Sequence, residues 1–395
     1  MYIAKKWIWV LLAAAVANAQ STENVIIAVI DGARHSETFG DDGHQYIPRI
    51  WNELRPLGTI YTSFYNDGQT STCNGHSSIV TGTWQYMAND GSERPDKPTI
   101  FEYRRKQLSS PAEDNAVVLG KDKLDILSYS THVDYGAQYA ATVKAAAVDG
   151  YDDVEAMANL FDVLANQHPA LTILNLPEVD QMGHTGDWNG YVNAIHDADS
   201  MVAEIWSFVE QDAHYAGKTT LIVTNDHGRH LDGVQTGFRD HGCDCDGCRH
   251  IMALIIGPEF DAGVTETTRW TQIDLAPTIG ALVGFDTPLA DGSAMPFNEI
   301  TATLVQSANR TRATAAGPGC TVTSASSGIR ISSLDARHGL VRLFDARGVQ
   351  IARHRHAVTG EQLAVRWEGI AAGVRTWCVT LDDGRVVSGK TANLR

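Results

Sequence analysis

Three apolar runs in this chain each lead into an acid, and two of those acids have a histidine close behind. Val25–Ile30 runs into Asp31-Gly32; Leu171–Leu176 leads to Asp180, with His184 four residues on in DQMGH; Leu221–Thr224 leads to Asn225-Asp226-His227-Gly228. If the runs are parallel strands, these acids share the carboxyl edge of one sheet, where open α/β folds place their sites. An aspartate at such a position can simply cap the next helix. Capping needs no imidazole, however, and three acid-ended strands call for a shared cause. Carboxylates and imidazoles together form the ligand set that zinc accepts more readily than magnesium or calcium. A fourth stretch, Thr70–Gly82 (TSTCNGHSSIVTG), puts the Thr72 hydroxyl beside the Cys73 thiol, ahead of a Gly-His pair. Either group could be a nucleophile.

The elements that must position these residues alternate along the chain. Short apolar runs occur at Val25–Ile30, Ala116–Leu119, Ile126–Ser130, Leu171–Asn175, Thr220–Thr224 and Ile251–Ile256. Between several of them, Val154–Asn166 and Tyr191–Asp212 have apolar residues three and four apart, the helical spacing. The alternation predicts an α/β fold, a three-layer α/β/α sandwich on a largely parallel sheet, over residues 20–312. Ala313–Cys320 (ATAAGPGC) reads as a linker over 313–319. Short β-type runs at Ile329–Ile331, Leu340–Phe344, Leu363–Trp367 and Trp377–Leu381 predict a small β-sandwich over 320–395.

The start MYIAKKWIWVLLAAAVANAQ pairs Lys5 and Lys6 with an apolar run and a small-x-small site at Ala17-Asn18-Ala19. It reads as a cleaved signal peptide over residues 1–19, so a secreted, periplasmic or cell-surface location is expected, with no membrane span. The formal net charge of the 395-residue chain is −16. Such an acidic balance argues against nucleic acid as a tightly held partner, while leaving room for a small anion in a metal-lined cleft. The oligomeric state is not readable from the sequence.

Taken in order, these motifs resemble the alkaline phosphatase superfamily, in particular its nucleotide pyrophosphatase/phosphodiesterase-like and phosphatase-like branches. An Asp follows the first strand, a nucleophile comes some forty residues later, then D-x-x-x-H, D-H-G and a final H-G. Gln272–Phe285 (QIDLAPTIGALVGF) followed by Asp291-Gly292 is similar to the closing helix and loop. The resemblance implies two zinc ions, one held by Asp31, Thr72, Asp226 and His227, the other by Asp180, His184 and a third histidine. His230, His241 and His250 are the choices for the third, and His241 in DHG fits best. Sulfatases of the superfamily need C-x-P-x-R, which Cys73-Asn74-Gly75-His76-Ser77 lacks. Thr72 is therefore the nucleophile that the resemblance implies, with Ser71 and Ser77 as turn and cap residues before a helix expected from Ser78–Thr81. Asn74 and Asn89 are candidate catalytic residues for holding a phosphoryl oxygen.

An exported phosphodiesterase or phosphatase acting on a small phosphoester through phospho-Thr72 is the activity implied. A catalytically silent binding or adhesion protein and a phosphoryl transferase are the alternatives. Arg104, Arg105 and Lys106 are expected on a solvated helix face, so no basic pair faces the phosphate, which favours diesters. Trp188 and Tyr191 are either a stacking platform or core. The last segment, GVRTWCVTLDDGRVVSGKTANLR, resembles type IX-type sorting domains, with Arg375 where those carry tyrosine; a carbohydrate- or surface-binding sandwich is the rival reading. In an oxidising compartment, Cys320 is expected to pair with Cys378. Cys73, Cys243, Cys245 and Cys248 allow three pairings, and a disulfide is favoured over a metal in the C-x-C-x-x-C loop.

Overall fold

In the computed structural model of the chain, residues 22–146 and 151–298 are described in full, together with the backbone of seven strands between residues 321 and 393. The chain divides into a unit spanning Gln20–Ile300 and a second unit that contains those seven strands. The expected signal peptide and linker lie outside the described residues, as does Cys320.

The first unit is built, in chain order, from β1 (Asn24–Ile30), β2 (Thr59–Tyr65), α1 (Thr72–Thr81), α2 (Ile100–Leu108), β3 (Asn115–Leu119), β4 (Thr142–Ala145), α3 (Asp153–Asn166), β5 (Leu171–Leu176), α4 (Glu178–Thr185), α5 (Trp188–Gln211), β6 (Thr219–Thr224), α6 (Asp246–Arg249), β7 (His250–Ile256), β8 (Val264–Glu266), β9 (Trp270–Thr271) and α7 (Leu275–Val283). The strands form one sheet in the order β4-β3-β5-β1-β6-β7-β2-β8, with β9 also paired to β2. Within it only β7 runs against its neighbours β6 and β2. The expected α/β fold on a largely parallel sheet is thus observed, and β7 makes the sheet mixed.

The central strand shows why the sequence needs helices on both faces. All seven residues of β1 are buried. Ile26, Ala28 and Ile30 pack with Leu160 of α3 and Ile195 of α5, whereas Val25, Ile27 and Val29 pack with Ile79 of α1, Phe101 of α2 and Ile279 of α7. A strand apolar at six consecutive positions and buried at all seven has no solvent face, so each side must be covered. Pairing of β1 with both β5 and β6 then aligns their carboxyl ends, with Ile30 opposite Leu176 and Val29 opposite Thr224.

Two local expectations are corrected. Ile126–Ser130 contributes to a 3-10 helix over Asp122–Ser128 rather than a strand. Leu124 and Leu127, both buried, stand three residues apart, the repeat of that helix. The helix expected from Ser78 begins at Thr72. Ser71 is extended, its hydroxyl accepts from Asn74 Nδ2 at 2.9 Å, and the free N–H of Cys73 donates to Asn89 Oδ1 at 2.8 Å. These side chains close the first turn from outside.

In the second unit, β10 (Thr321–Ala325), β11 (Gly328–Ser332) and β14 (Gln362–Arg366) form a three-stranded antiparallel sheet. Strands β12 (His338–Phe344), β13 (Gln350–Ala357), β15 (Gly373–Leu381) and β16 (Val386–Asn393) form a four-stranded one.

Candidate active site

Asp31, Asp180, Asp226, His227, His184 and His241 all reach the carboxyl edge of the sheet. Asp31 follows β1, Asp226 and His227 follow β6, and α4 carries Asp180 and His184 one turn apart on the same side. Gly32 makes the crowding possible. Its φ is +69°, its N–H donates to Asp226 Oδ1 at 3.1 Å, and a Cβ there would meet Asp180 Oδ1 at 2.8 Å.

Two imidazoles are fixed in the tautomer that leaves Nε2 free. His227 Nδ1 bonds the Gly228 carbonyl at 2.9 Å, and His241 Nδ1 bonds the Thr70 carbonyl at 2.9 Å. A carbonyl can only accept, so each Nδ1 carries the proton. Burial, with His241 alongside, pushes the His227 pKa down to about 3 despite Asp226, and burial lowers that of His241 as well. Both rings are neutral near pH 7, the form that ligates metal.

The donor atoms test whether a metal fits. Asp31, Asp226 and His227 offer ligand atoms within 4.8 Å of one another, and so do Asp180, His227 and His241, and His184, Asp240 and His241. Asp31 Oδ1, Asp226 Oδ2 and His227 Nε2 are buried without a hydrogen-bond partner among the described residues. Each such orphan costs about 1–3 kcal/mol unless something satisfies it. Two carboxylate oxygens and an unprotonated ring nitrogen are what a divalent cation would satisfy, so the residues fit the group.

Thr72 is the first residue of α1, almost fully buried, and lines a cavity of about 200 Å³ with Asn89, Lys121, Asp180, His184 and His241. Asn74 does not reach that cavity with its side chain. Its amide nitrogen donates to Ser71 Oγ and the Met87 carbonyl, and its oxygen accepts from the Met87 N–H, so the group is spent on holding the segment after α1.

Several participants escaped the sequence reading. Lys121, just past β3, lies with Nζ 2.9 Å from Asp31 Oδ2 and 2.7 Å from Asp180 Oδ2. Lys123 lines the same cavity. Arg229 is wholly buried and bonds Asp180 Oδ1 at 2.5 Å. His76 Nδ1 donates to the Thr72 carbonyl at 2.9 Å, and so leaves Asp226 Oδ2, 3.2 Å away, without that proton. The expectation that no basic pair faces the pocket is therefore corrected, and its argument for diesters goes with it. Arg104 also departs from the expected solvated face: it is buried, with Nη1 3.3 Å from Asn115 Oδ1.

The remaining choices resolve locally. His250 stacks between His35 and Tyr65, with ring centroids 3.6 and 4.6 Å away. His230 turns toward three cysteines, with Nδ1 3.0 Å from Cys243 Sγ. Tyr191 is fully buried and its hydroxyl accepts from the Arg34 N–H, while Trp188 packs on Phe238, so both belong to the packing of α5. Cys73, Cys243, Cys245 and Cys248 are all free thiols, and Cys73, in the first turn of α1, faces the apolar core. The favoured disulfide in the cysteine loop is thus replaced by a cluster of three thiols and an imidazole.

Residues 137–286, which carry Asp180, His184, Asp226, His227 and His241, match the profile of the Metalloenzyme superfamily. A protein in the alkaline phosphatase superfamily from Vibrio parahaemolyticus superposes with a TM-score of 0.54 at 14% identity, over 89% of this chain and 84% of that one. The fold is that of the alkaline phosphatase superfamily. A second structure of this kind, the phosphonate monoester hydrolase of Silicibacter pomeroyi, gives a TM-score of 0.53 at 14% identity, over 86% of this chain and 90% of that one. Among curated proteins, a phosphopentomutase of Herpetosiphon aurantiacus is 28% identical over 202 residues, 51% of this chain and 44% of the relative. The chain therefore spans less than half the length of that relative.

Proposed function

We propose that this chain is a metal-dependent phosphoric ester hydrolase that uses two zinc ions and Thr72 as its nucleophile. The observation that carries the reading is the set of three orphaned ligand atoms, on Asp31, Asp226 and His227, at the sheet edge that also holds Thr72. Asp31, Asp226 and His227, with Thr72, would hold one ion. Asp180, His184 and His241 would hold the other: Nε2 of His184 and of His241 lie 3.3 and 3.5 Å from Asp180 Oδ1, and Asp240 is grouped with the two histidines. When bound, such ions lower the pKa of a coordinated hydroxyl and offset charge on a phosphoryl group.

The chain's own residues supply the rest. The Thr72 Oγ forms a bond to phosphorus as the bond to the leaving alcohol breaks, giving phospho-Thr72. Water then cleaves that ester, releasing phosphate, or a phosphomonoester from a diester, and returning the hydroxyl. The N-terminal end of α1 directs its dipole toward the charge that develops there. Asn89, already fixed by the Cys73 N–H, is placed to donate its amide hydrogens to a phosphoryl oxygen, and Lys121 and Lys123 add positive charge to the cavity wall. The expected leader over residues 1–19 supports work outside the cytoplasm.

A phosphoryl transferase is the second reading, favoured by the sequence likeness to phosphopentomutases. One experiment separates the two: turnover of aryl phosphate, bis-aryl phosphate, aryl phosphonate and aryl sulfate by zinc-loaded protein, with and without a sugar acceptor. Phosphate release to water, abolished in Thr72→Ala, supports the hydrolase. Release that requires the acceptor favours the transferase, and no turnover of any phosphorus ester removes both.

A further inference from the structure

We propose that His230, Cys243, Cys245 and Cys248 form a second, separate metal site that takes a structural zinc ion. His230 Nδ1 lies 3.0 Å from Cys243 Sγ, 3.2 Å from Cys248 Sγ and 4.0 Å from Cys245 Sγ, and the Cys243 and Cys248 sulfurs are 3.7 Å apart. All four donor atoms fall within 4.8 Å of one another. A tetrahedral zinc with bonds of about 2.3 Å to sulfur and about 2.0 Å to nitrogen has edges of roughly 3.5–3.8 Å. The observed spacings bracket that range.

The chemistry selects the ion. Three thiolates and one imidazole are soft donors that suit zinc and leave oxygen-seeking calcium and magnesium unserved. A disulfide uses only two of three thiols, and Cys73, the fourth free one, is a residue of α1 packed into the core. The surroundings have the form of a support shell. The Cys245 N–H points at Cys243 Sγ at 3.3 Å, the Gly228 N–H donates to the Cys248 carbonyl at 2.9 Å, and His230 and Cys248 are buried.

The site ties down the excursion between β6 and β7. That segment carries Arg229, which grips Asp180, and His241. Thr70 links the two centres: its hydroxyl donates to the Cys243 carbonyl at 3.1 Å, and its carbonyl receives the His241 Nδ1 proton. The soft-donor ion would set the position of His241 without touching substrate.

Cobalt(II) is the probe. Exchanged into the purified full-length chain, it is expected to give the intense near-ultraviolet absorption of thiolate-to-cobalt charge transfer, which oxygen and imidazole donors do not produce. That band should persist in Asp31→Ala and vanish in Cys248→Ser, and the Cys248→Ser chain should hold one zinc fewer by elemental analysis. Alkylation of wild-type protein in denaturant without reductant gives a check that needs no variant. A loop peptide with three alkylated cysteines supports the site. Absence of the cobalt band in the wild type, or a loop peptide carrying a disulfide, overturns it.

Discussion

The imidazole of His241 lies nearly parallel to that of His227, ring centroids 3.8 Å apart and planes 23° from each other. Two stacked rings can both stay buried only if at least one is uncharged, and here each has its proton on Nδ1 and a bare Nε2 near Asp180 or Asp31. His241→Ala is expected to weaken binding of one ion by more than about 100-fold, beyond the effect of losing a supporting residue. Zinc stoichiometry after dialysis against a weak chelator measures this; a variant that retains its full complement excludes His241 as a ligand.

Thr72→Ala removes a hydroxyl and little packing. It should lower kcat by about a thousandfold or more while leaving the melting temperature close to wild type. Thr72→Ser should recover part of the rate. Acid-quenched protein incubated with labelled substrate should retain phosphate on the Thr72 peptide only when the hydroxyl is present. Activity within tenfold of wild type in Thr72→Ala removes the residue from the chemistry.

Lys121 sets a pH signature. Burial raises the Asp180 pKa, but Lys121, His184 and Arg229 outweigh it and hold the carboxylate well below the usual range. A depressed carboxylate contributes stability above its unfolded pKa of about 3.9 and loses it as pH falls through the folded value. Burial disfavours the Lys121 ammonium, yet Asp31 and Asp180 raise its pKa above the ordinary lysine value. Its contribution is therefore present below about pH 10.4 and fades only above that, as pH climbs through the folded pKa. In chelator-treated protein, Lys121→Met should cost about 3–5 kcal/mol near pH 7, the typical loss when one partner of a buried pair is removed. The penalty should shrink once pH falls below the unfolded carboxylate value of about 3.9, toward the lower folded pKa of Asp180. Urea melts at the two pH values decide it; an equal penalty at both means that Lys121 acts through packing alone.

Gly75 faces the backbone of Asp226 so closely that a Cβ would overlap the Asp226 carbonyl oxygen. That oxygen is held by Asn66 Nδ2 at 2.8 Å and Gln272 Nε2 at 2.5 Å, and cannot retreat freely. Gly75→Ala should destabilise the fold by about 1–3 kcal/mol through overpacking. It should also displace Asp226, so zinc content and turnover should fall together. An unchanged melt and full zinc content would show that the contact yields.

Much of the frame was legible because its signal is local. The runs that became β1, β3 and β7 are apolar at nearly every position, and those of β5 and β6 mix aliphatic residues with threonine and one asparagine but no charge, as suits strands covered on both faces. Strand β2 went unread because TIYTSFY carries a hydroxyl at five of its seven positions, which breaks up the apolar run. The acids and histidines stood out because two residue types recurred at strand ends. Lys121 did not: a lysine after a strand looks like a solvated one, and only the tertiary fold brings Asp31 and Asp180 to it. Asn74 was legible as a residue near the nucleophile, but its side-chain partners, Ser71 and Met87, depend on how the chain turns after α1.

Strand β7 is the one member of the first sheet to run backward. The stretch joining it to β6 consequently leaves and re-enters at a single rim of the sheet, with no helix needed to carry it to the far side. A tether fastened at both feet tolerates lengthening well, since doubling a flexible loop costs only about 0.6 kcal/mol. Insertions and deletions between Leu231 and Asp240 can thus remodel the mouth of the pocket over evolutionary time while the frame beneath keeps its register.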